Sequence, residues 1–266
     1  MNGIKLQLLA TPAVMGLPKS SLLSGLESYW KLDEYSDRSA AVTRYDSKGS
    51  NHLTEPSSLV STVVGKRGNA LLLGTATRVL TCADSPSIST GDIDFTFSAW
   101  LYVTEKSASA QIAISHWTTA KRGYRIDWDV TTGKLRFIVG GGAGSSIGTV
   151  TNTTPNLSTW YHVIAEHDAA NNKVRLYVNN GAAAEENTTG AAGNSDQVFV
   201  IGAEASLAGA QLWRGYVDEV GFWKRLLTAG ERAALYYGGA GDSYPFNGRN
   251  LGTYSGLITY SSSVGT

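Results

Sequence analysis

The sequence predicts an all-β protein, an antiparallel β-sandwich with one short helix near its C-terminal end. Three observations predict it. Apolar residues alternate with period two in run after run. Turn clusters part these runs about every ten residues. The composition is rich in glycine (30 of 266 residues) and poor in charge (17%), as expected of many short strands joined by tight turns.

The elements follow in chain order. Residues 1–24 form an arm that contains Pro12 and Pro18 and has no sustained period. Residues 25–246 carry the strand signals and read as one domain. Within Phe95–Val103, the residues Phe95, Phe97, Ala99, Leu101 and Val103 share one face. In Lys173–Val178, Val174, Leu176 and Val178 do the same. Ile112–Ile114, Tyr124–Trp128, Lys134–Val139, Trp160–Ala165, Val198–Ile201 and Gly215–Trp223 read likewise. Thr131-Thr132-Gly133 and Asn179-Asn180-Gly181 are turn clusters between them. The helix is predicted near residues 229–237: Thr228 is the N-cap, Glu231 completes a capping box, and Gly238 ends it. Residues 247–266 form a polar tail rich in Gly and Ser.

The formal net charge is zero and no Lys/Arg run exists, which argues against a nucleic-acid partner. The single cysteine, Cys82, lies in an apolar run and reads as a small buried hydrophobe. The apolar patches of Ile4–Leu17 are interrupted by Lys5, Gln7, Thr11 and Pro12. They are too short to span a bilayer, so we expect neither a signal peptide nor a membrane span.

Several segments resemble, in order, the laminin G-like, concanavalin A-like jelly-roll family. They are Leu26-x-x-Tyr29-Trp30-x-Leu32-Asp33-Glu34, Asp46-Ser47-Lys48-Gly49-Ser50-Asn51-His52-Leu53, Gly65-Lys66-Arg67-Gly68-Asn69-Ala70-Leu71, Phe95–Trp100, Thr159–Val163 and Arg175–Gly181. Gly215-Tyr216-Val217-Asp218-Glu219-Val220, running on to Leu235-Tyr236, resembles the closing signature. The resemblance covers about residues 25–246 and implies a jelly roll that mostly serves binding and display. One departure is Leu73-Gly74-Thr75-Ala76, which lacks the acidic residue usual at that turn. The opening Ser21-Leu22-Leu23-Ser24-Gly25-Leu26-x-x-Tyr29-Trp30-Lys31-Leu32-Asp33-Glu34 looks like that of phage structural proteins.

Glucanases of this fold carry Glu-x-Asp-x-(x)-Glu on one strand. Asp127-Trp128-Asp129 supplies two carboxylates on one face but no following glutamate, and Asp92-Ile93-Asp94 fails in the same way, so no enzyme is expected. The four histidines lack metal spacing. His162 and Asp218 are read as a structural polar pair on half-buried strands. No cofactor is required; calcium could be served by loop oxygens of Asp84, Asp92, Asp94, Asn152, Asn156, Asn194 and Asp196, with no site located. Trp117, Tyr124 and Trp128 are the candidate platform for stacking a sugar ring.

The expected function is a non-enzymatic virion protein: a phage capsid decoration, head-fibre or tail component that displays the jelly roll. The alternative is a secreted or cell-surface carbohydrate-binding module. Ile4, Leu6, Leu8, Leu9, Val14 and Leu17 are expected to anchor the N-terminal arm on other copies of the chain or on capsid or tail proteins. A cell-surface glycan is the other expected partner.

Overall fold

A computed structural model describes residues 20–56, 59–74, 78–206 and 211–246. Two antiparallel sheets pack face to face. The larger contains β1 (Leu26–Trp30), β2 (Ser61–Val64), β3 (Asn69–Leu73), β5 (Phe95–Val103), β10 (Trp160–Asp168), β11 (Lys173–Val178), β12 (Ala184–Asn187) and β14 (Gly215–Trp223). Its order is β12-β11-β10-β5-β14-β3-β2, with β1 pairing β14 beyond the end of β3. The smaller runs β4 (Leu80–Cys82), β13 (Phe199–Ile201), β6 (Gln111–Trp117), β7 (Arg122–Trp128), β8 (Leu135–Gly142) and β9 (Ser146–Asn152).

The alternation read from the sequence decides which face is buried. Phe95, Phe97, Ala99, Leu101 and Val103 of β5 all enter the core between the sheets, as do Val174, Leu176 and Val178 of β11. Aromatic rings fill its centre, with Phe97 stacked 4.5 Å from Phe222 and tilted against Tyr124 at 4.7 Å, centroid to centroid. Burial of each such side chain stabilises the fold by about 1.5–3 kcal/mol. Cys82 sits at the edge of this core, where burial pushes its thiol up to about 12 and removes thiolate character at neutral pH.

A second cluster lies on the outside of the larger sheet. Helix α2 (Ala229–Tyr236) and the segment after it pack Leu235 and Phe246 against Tyr29 and Trp223. Thr228 and Glu231 form the capping box, and Arg225 grips the Glu231 carboxylate through two nitrogens at 2.8 and 2.7 Å. The helix ends at Tyr237, in the left-handed region (φ 46), one residue before the glycine chosen from the sequence.

Residues 20–24, read from the sequence as the end of the arm, pack on the domain. A short helix, α1 (Ser20–Leu23), places Leu22 in the outer cluster, where its carbonyl accepts a 2.8 Å hydrogen bond from the Trp223 indole. Arg225 donates to the carbonyls of Ser21 and Ser24. The anchoring residues Ile4 to Leu17 and the tail 247–266 lie outside the described residues. Among those described, no helix is long and apolar enough to cross a membrane.

Candidate functional site

The sequence-predicted stacking residues are not a platform. Tyr124 and Trp128 point into the core between the sheets and are 0% and 4% exposed. The Tyr124 hydroxyl is used internally, donating to the Ile88 carbonyl at 3.0 Å. Trp117 is 4% exposed, with the guanidinium groups of Arg122 and Arg125 at 5.1 and 5.3 Å from its ring. The reason is register: period two turns Tyr124, Ile126 and Trp128 inward together.

The same alternation turns Asp127 outward on β7, where it meets arginine. Arg136 holds Asp127 through Nε and Nη2, both at 2.8 Å, and reaches Asp129 with Nη1 at 2.6 Å. Arg125 Nε lies 2.7 Å from Asp127, its N–H turned off the hydrogen-bond axis. Burial pushes the Asp129 carboxyl up, but hydrogen bonds from Thr132 and the charge of Arg136 outweigh it and hold the group below its usual range. Asp129 so clamped has no proton to give at neutral pH and is not a general acid.

The outer face of the larger sheet holds the less settled chemistry. A β-bulge in β14 puts Glu219 in the left-handed region (φ 50), between Val217 and Val220, which both face the core. Asp218 and Glu219 therefore share the outer face, whereas simple alternation sends one inward. Glu219 accepts a 2.6 Å hydrogen bond from the Tyr29 hydroxyl, and its Oε1 has no partner. Burial raises its pKa to about 7, against the hydrogen bonds from Tyr29 and Ser243. Asp218 accepts from the Arg67 backbone N–H at 3.0 Å, its Oδ1 is unpartnered, and burial with the adjacent Glu219 pushes it well up. Glu219 lines a cleft of about 580 Å³ together with Lys31, Asp33, Lys66, Arg67 and Asp242.

His162 and Asp218 are not a pair. Each is the cross-strand neighbour of Trp100, from opposite sides of β5. Two strand spacings, about 9–10 Å, separate them. The His162 ring is within 2.9 Å of Ser98 Oγ and stacks near Trp100 and Tyr236. Burial lowers its pKa to about 3, so it is neutral. Among the described residues, no group of three or more His, Cys, Asp or Glu is placed to hold a metal ion.

One pleat along the same face lies a feature the sequence reading missed. Trp160 of β10, Tyr102 of β5 and Tyr216 of β14 are direct cross-strand neighbours. Tyr102 and Tyr216 stack with centroids 4.7 Å apart and planes at 12°; Trp160 is 5.2 Å from Tyr102. All three are half-buried. Each alternates with an inward residue (Tyr161, Leu101 and Val217). The signal was present in each strand, but only the β10-β5-β14 order, a long-range property, brings the three rings together.

Two antiparallel sheets packed face to face in this strand order define the class as a β-sandwich jelly roll. The chain belongs to the concanavalin A-like lectin/glucanases superfamily, whose laminin G model matches residues 74–231. Among solved structures, botulinum neurotoxin type C, described as entering cells through two ganglioside molecules, superposes with a TM-score of 0.64 at 10% identity, over 83% of this chain and 52% of the other. The binding domain of Paraclostridial Mosquitocidal Protein 1 gives 0.62 at 14%, over 81% and 52%. This chain thus spans about half the length of either. Domain 4 of AbnA, an extracellular arabinanase from Geobacillus stearothermophilus solved with arabinotriose, gives 0.50 at 13%, over 78% and 96%. These likenesses are of fold. No curated protein sequence matches the chain.

Proposed function

We propose that this chain is a non-catalytic carbohydrate-binding domain that holds a glycan on Trp160, Tyr102 and Tyr216. The row of three half-buried rings carries the reading. A sugar ring presents an apolar face of C–H groups; Tyr102 and Tyr216 stack on each other and turn their edges outward, and Trp160, tilted 59° from Tyr102, is the ring placed to cover that face at little entropic cost. The clamping of Asp127 and Asp129 by Arg136 supports binding without hydrolysis. The superfamily and the arabinotriose complex of a similar fold agree with a sugar ligand. Truncation of Trp160 or Tyr216 to Ala should weaken glycan binding by about 1–3 kcal/mol, by analogy with other stacking platforms. A glycan array probed with wild type and both variants tests this. Binding that survives both truncations, or is absent throughout, refutes it.

The finer reading we propose is display of this domain on a virion, anchored by the apolar residues Ile4, Leu6, Leu8, Leu9, Val14 and Leu17. It rests on the sequence alone. Removal of residues 1–19 spares the packed Leu22 and should leave a folded domain that no longer joins its assembly. Normal assembly of that variant refutes the anchor.

A further inference from the structure

The segment that follows α2 lies as a strap over the bulge of β14. Its approach turns through Tyr237, Gly238, Gly239 and Gly241, all in the left-handed region at φ 46, 59, 90 and 77. Glycine takes this conformation and its alternatives without steric cost, so the approach is built as a hinge. Two backbone hydrogen bonds hold the start of the strap, from the Gly241 N–H to the Tyr236 carbonyl at 3.1 Å and from the Asp242 N–H to the Leu235 carbonyl at 3.0 Å. Phe246 holds the far end. Its ring meets Tyr29 edge-on at 5.2 Å and lies 6.3 Å from Trp223. Between these ends, Asp242, Ser243, Tyr244 and Pro245 form one wall of the cleft.

Under the strap lie carboxylates with little to hold them as anions. Glu219 is 1% exposed and Asp218 0%, and each leaves one oxygen without a partner. Tyr29 bridges sheet and strap: its hydroxyl donates to Glu219 at 2.6 Å and lies 3.3 Å from the Asp242 carbonyl. Ser243 of the strap donates to Glu219 as well. Charged groups face Glu219 from every element around it. Lys31 and Asp33 follow β1, Lys66 and Arg67 stand in the turn between β2 and β3, Asp218 adjoins it on β14, and Asp242 belongs to the strap. The three cations are matched by Asp33, Asp218 and Asp242, so desolvation decides the balance. Burial raises the Glu219 pKa to about 7 and pushes Asp218 and Asp242 up too. Ionising Glu219 beneath the seated strap puts a charge in a dry site, and lifting the strap returns that charge to water.

We propose that residues 241–246 are a pH-sensitive strap, seated over Glu219 while that carboxyl is protonated and lifting about the Tyr237–Gly241 turn once it ionises. The device is independent of the aromatic row and of any glycan. The seated form holds the proton up to about pH 7, whereas a hydrated Glu219 releases it near 4.5. Closure is therefore at full strength below pH 4.5 and weakens as pH rises to about 7. Full hydration of Glu219 on opening raises the opening constant about tenfold between pH 6 and pH 8. Lifting also withdraws one wall of the cleft and widens it.

The test is hydrogen exchange of the full chain from pH 6 to pH 8, read at the Gly241 and Asp242 amides and corrected for the intrinsic rate. Both should exchange at least about tenfold faster than the Phe97 and Leu101 amides of the central strand β5, because a local opening frees them. Their protection should fall about tenfold across the range. Glu219→Gln keeps an oxygen for the Tyr29 hydroxyl and cannot ionise, so it should lose most of this fall. Phe246→Ala removes the ring that seats the far end; it should lower protection at every pH and keep the fall. Strap amides that exchange no faster than those of β5 would show global unfolding alone and overturn the proposal. So would protection that is constant with pH, or a fall that survives undiminished in Glu219→Gln.

Discussion

Replacing Glu219 by glutamine should remove a pH-dependent weakness from the domain. The carboxyl is 1% exposed, and burial raises its pKa from 4.5 to about 7. Folded protein therefore holds this proton more tightly than unfolded protein does. Stability is at its full value below pH 4.5 and is lost as pH rises through about 7. The displacement corresponds to about 3 kcal/mol at 1.36 kcal/mol per pH unit. The substituted side chain keeps an oxygen to accept from the Tyr29 hydroxyl and cannot ionise. At pH 8 the variant should exceed wild type by up to about 3 kcal/mol, which for a domain of this size raises Tm by roughly 6–12 °C. At pH 4.5 the two should be close. The assay is thermal and urea unfolding of both proteins from pH 4.5 to pH 8. Asp218 and Tyr29 are pushed up partly by the Glu219 charge, so the difference between the curves reports Glu219 together with its effect on these two neighbours. Parallel curves across that range would refute the reasoning.

Other outcomes follow from the same structure. His162, lowered to about 3, should stay neutral from pH 7 down to pH 4, as read from its ring nitrogen shifts; protonation near 6.5 would contradict its burial. Trp128→Ala should destabilise the fold by about 3–5 kcal/mol as a core truncation, measured by urea unfolding, rather than act as a selective binding variant. Thr228→Ala should cost about 0.5–2 kcal/mol by removing the cap of α2. No reducing sugar should be released from a β-glucan panel; release that is lost on Glu219→Gln would make the cleft catalytic.

The sandwich was legible because alternation is local: Phe95 to Val103 declare their faces in nine consecutive residues, and the structure buries that face. The capping box was legible for the same reason, as Thr228 and Glu231 lie within one helical turn. The site was not. Burial of Tyr124 and Trp128 depends on which face of β7 meets the other sheet, and a list of aromatics does not carry that. Asp218 and Glu219 share a face only through the bulge. Trp160, Tyr102 and Tyr216 are far apart in sequence and meet only through strand order.

The central claim is that a sugar is held on the outer face of the larger sheet. The most direct measurement is a titration of array-selected oligosaccharide followed by the indole N–H resonances of the tryptophans. The account predicts that the Trp160 resonance shifts on binding while those of the buried Trp30, Trp213 and Trp223 stay in place. A shift centred on Trp117, on the smaller sheet, or no saturable shift at Trp160, would contradict it.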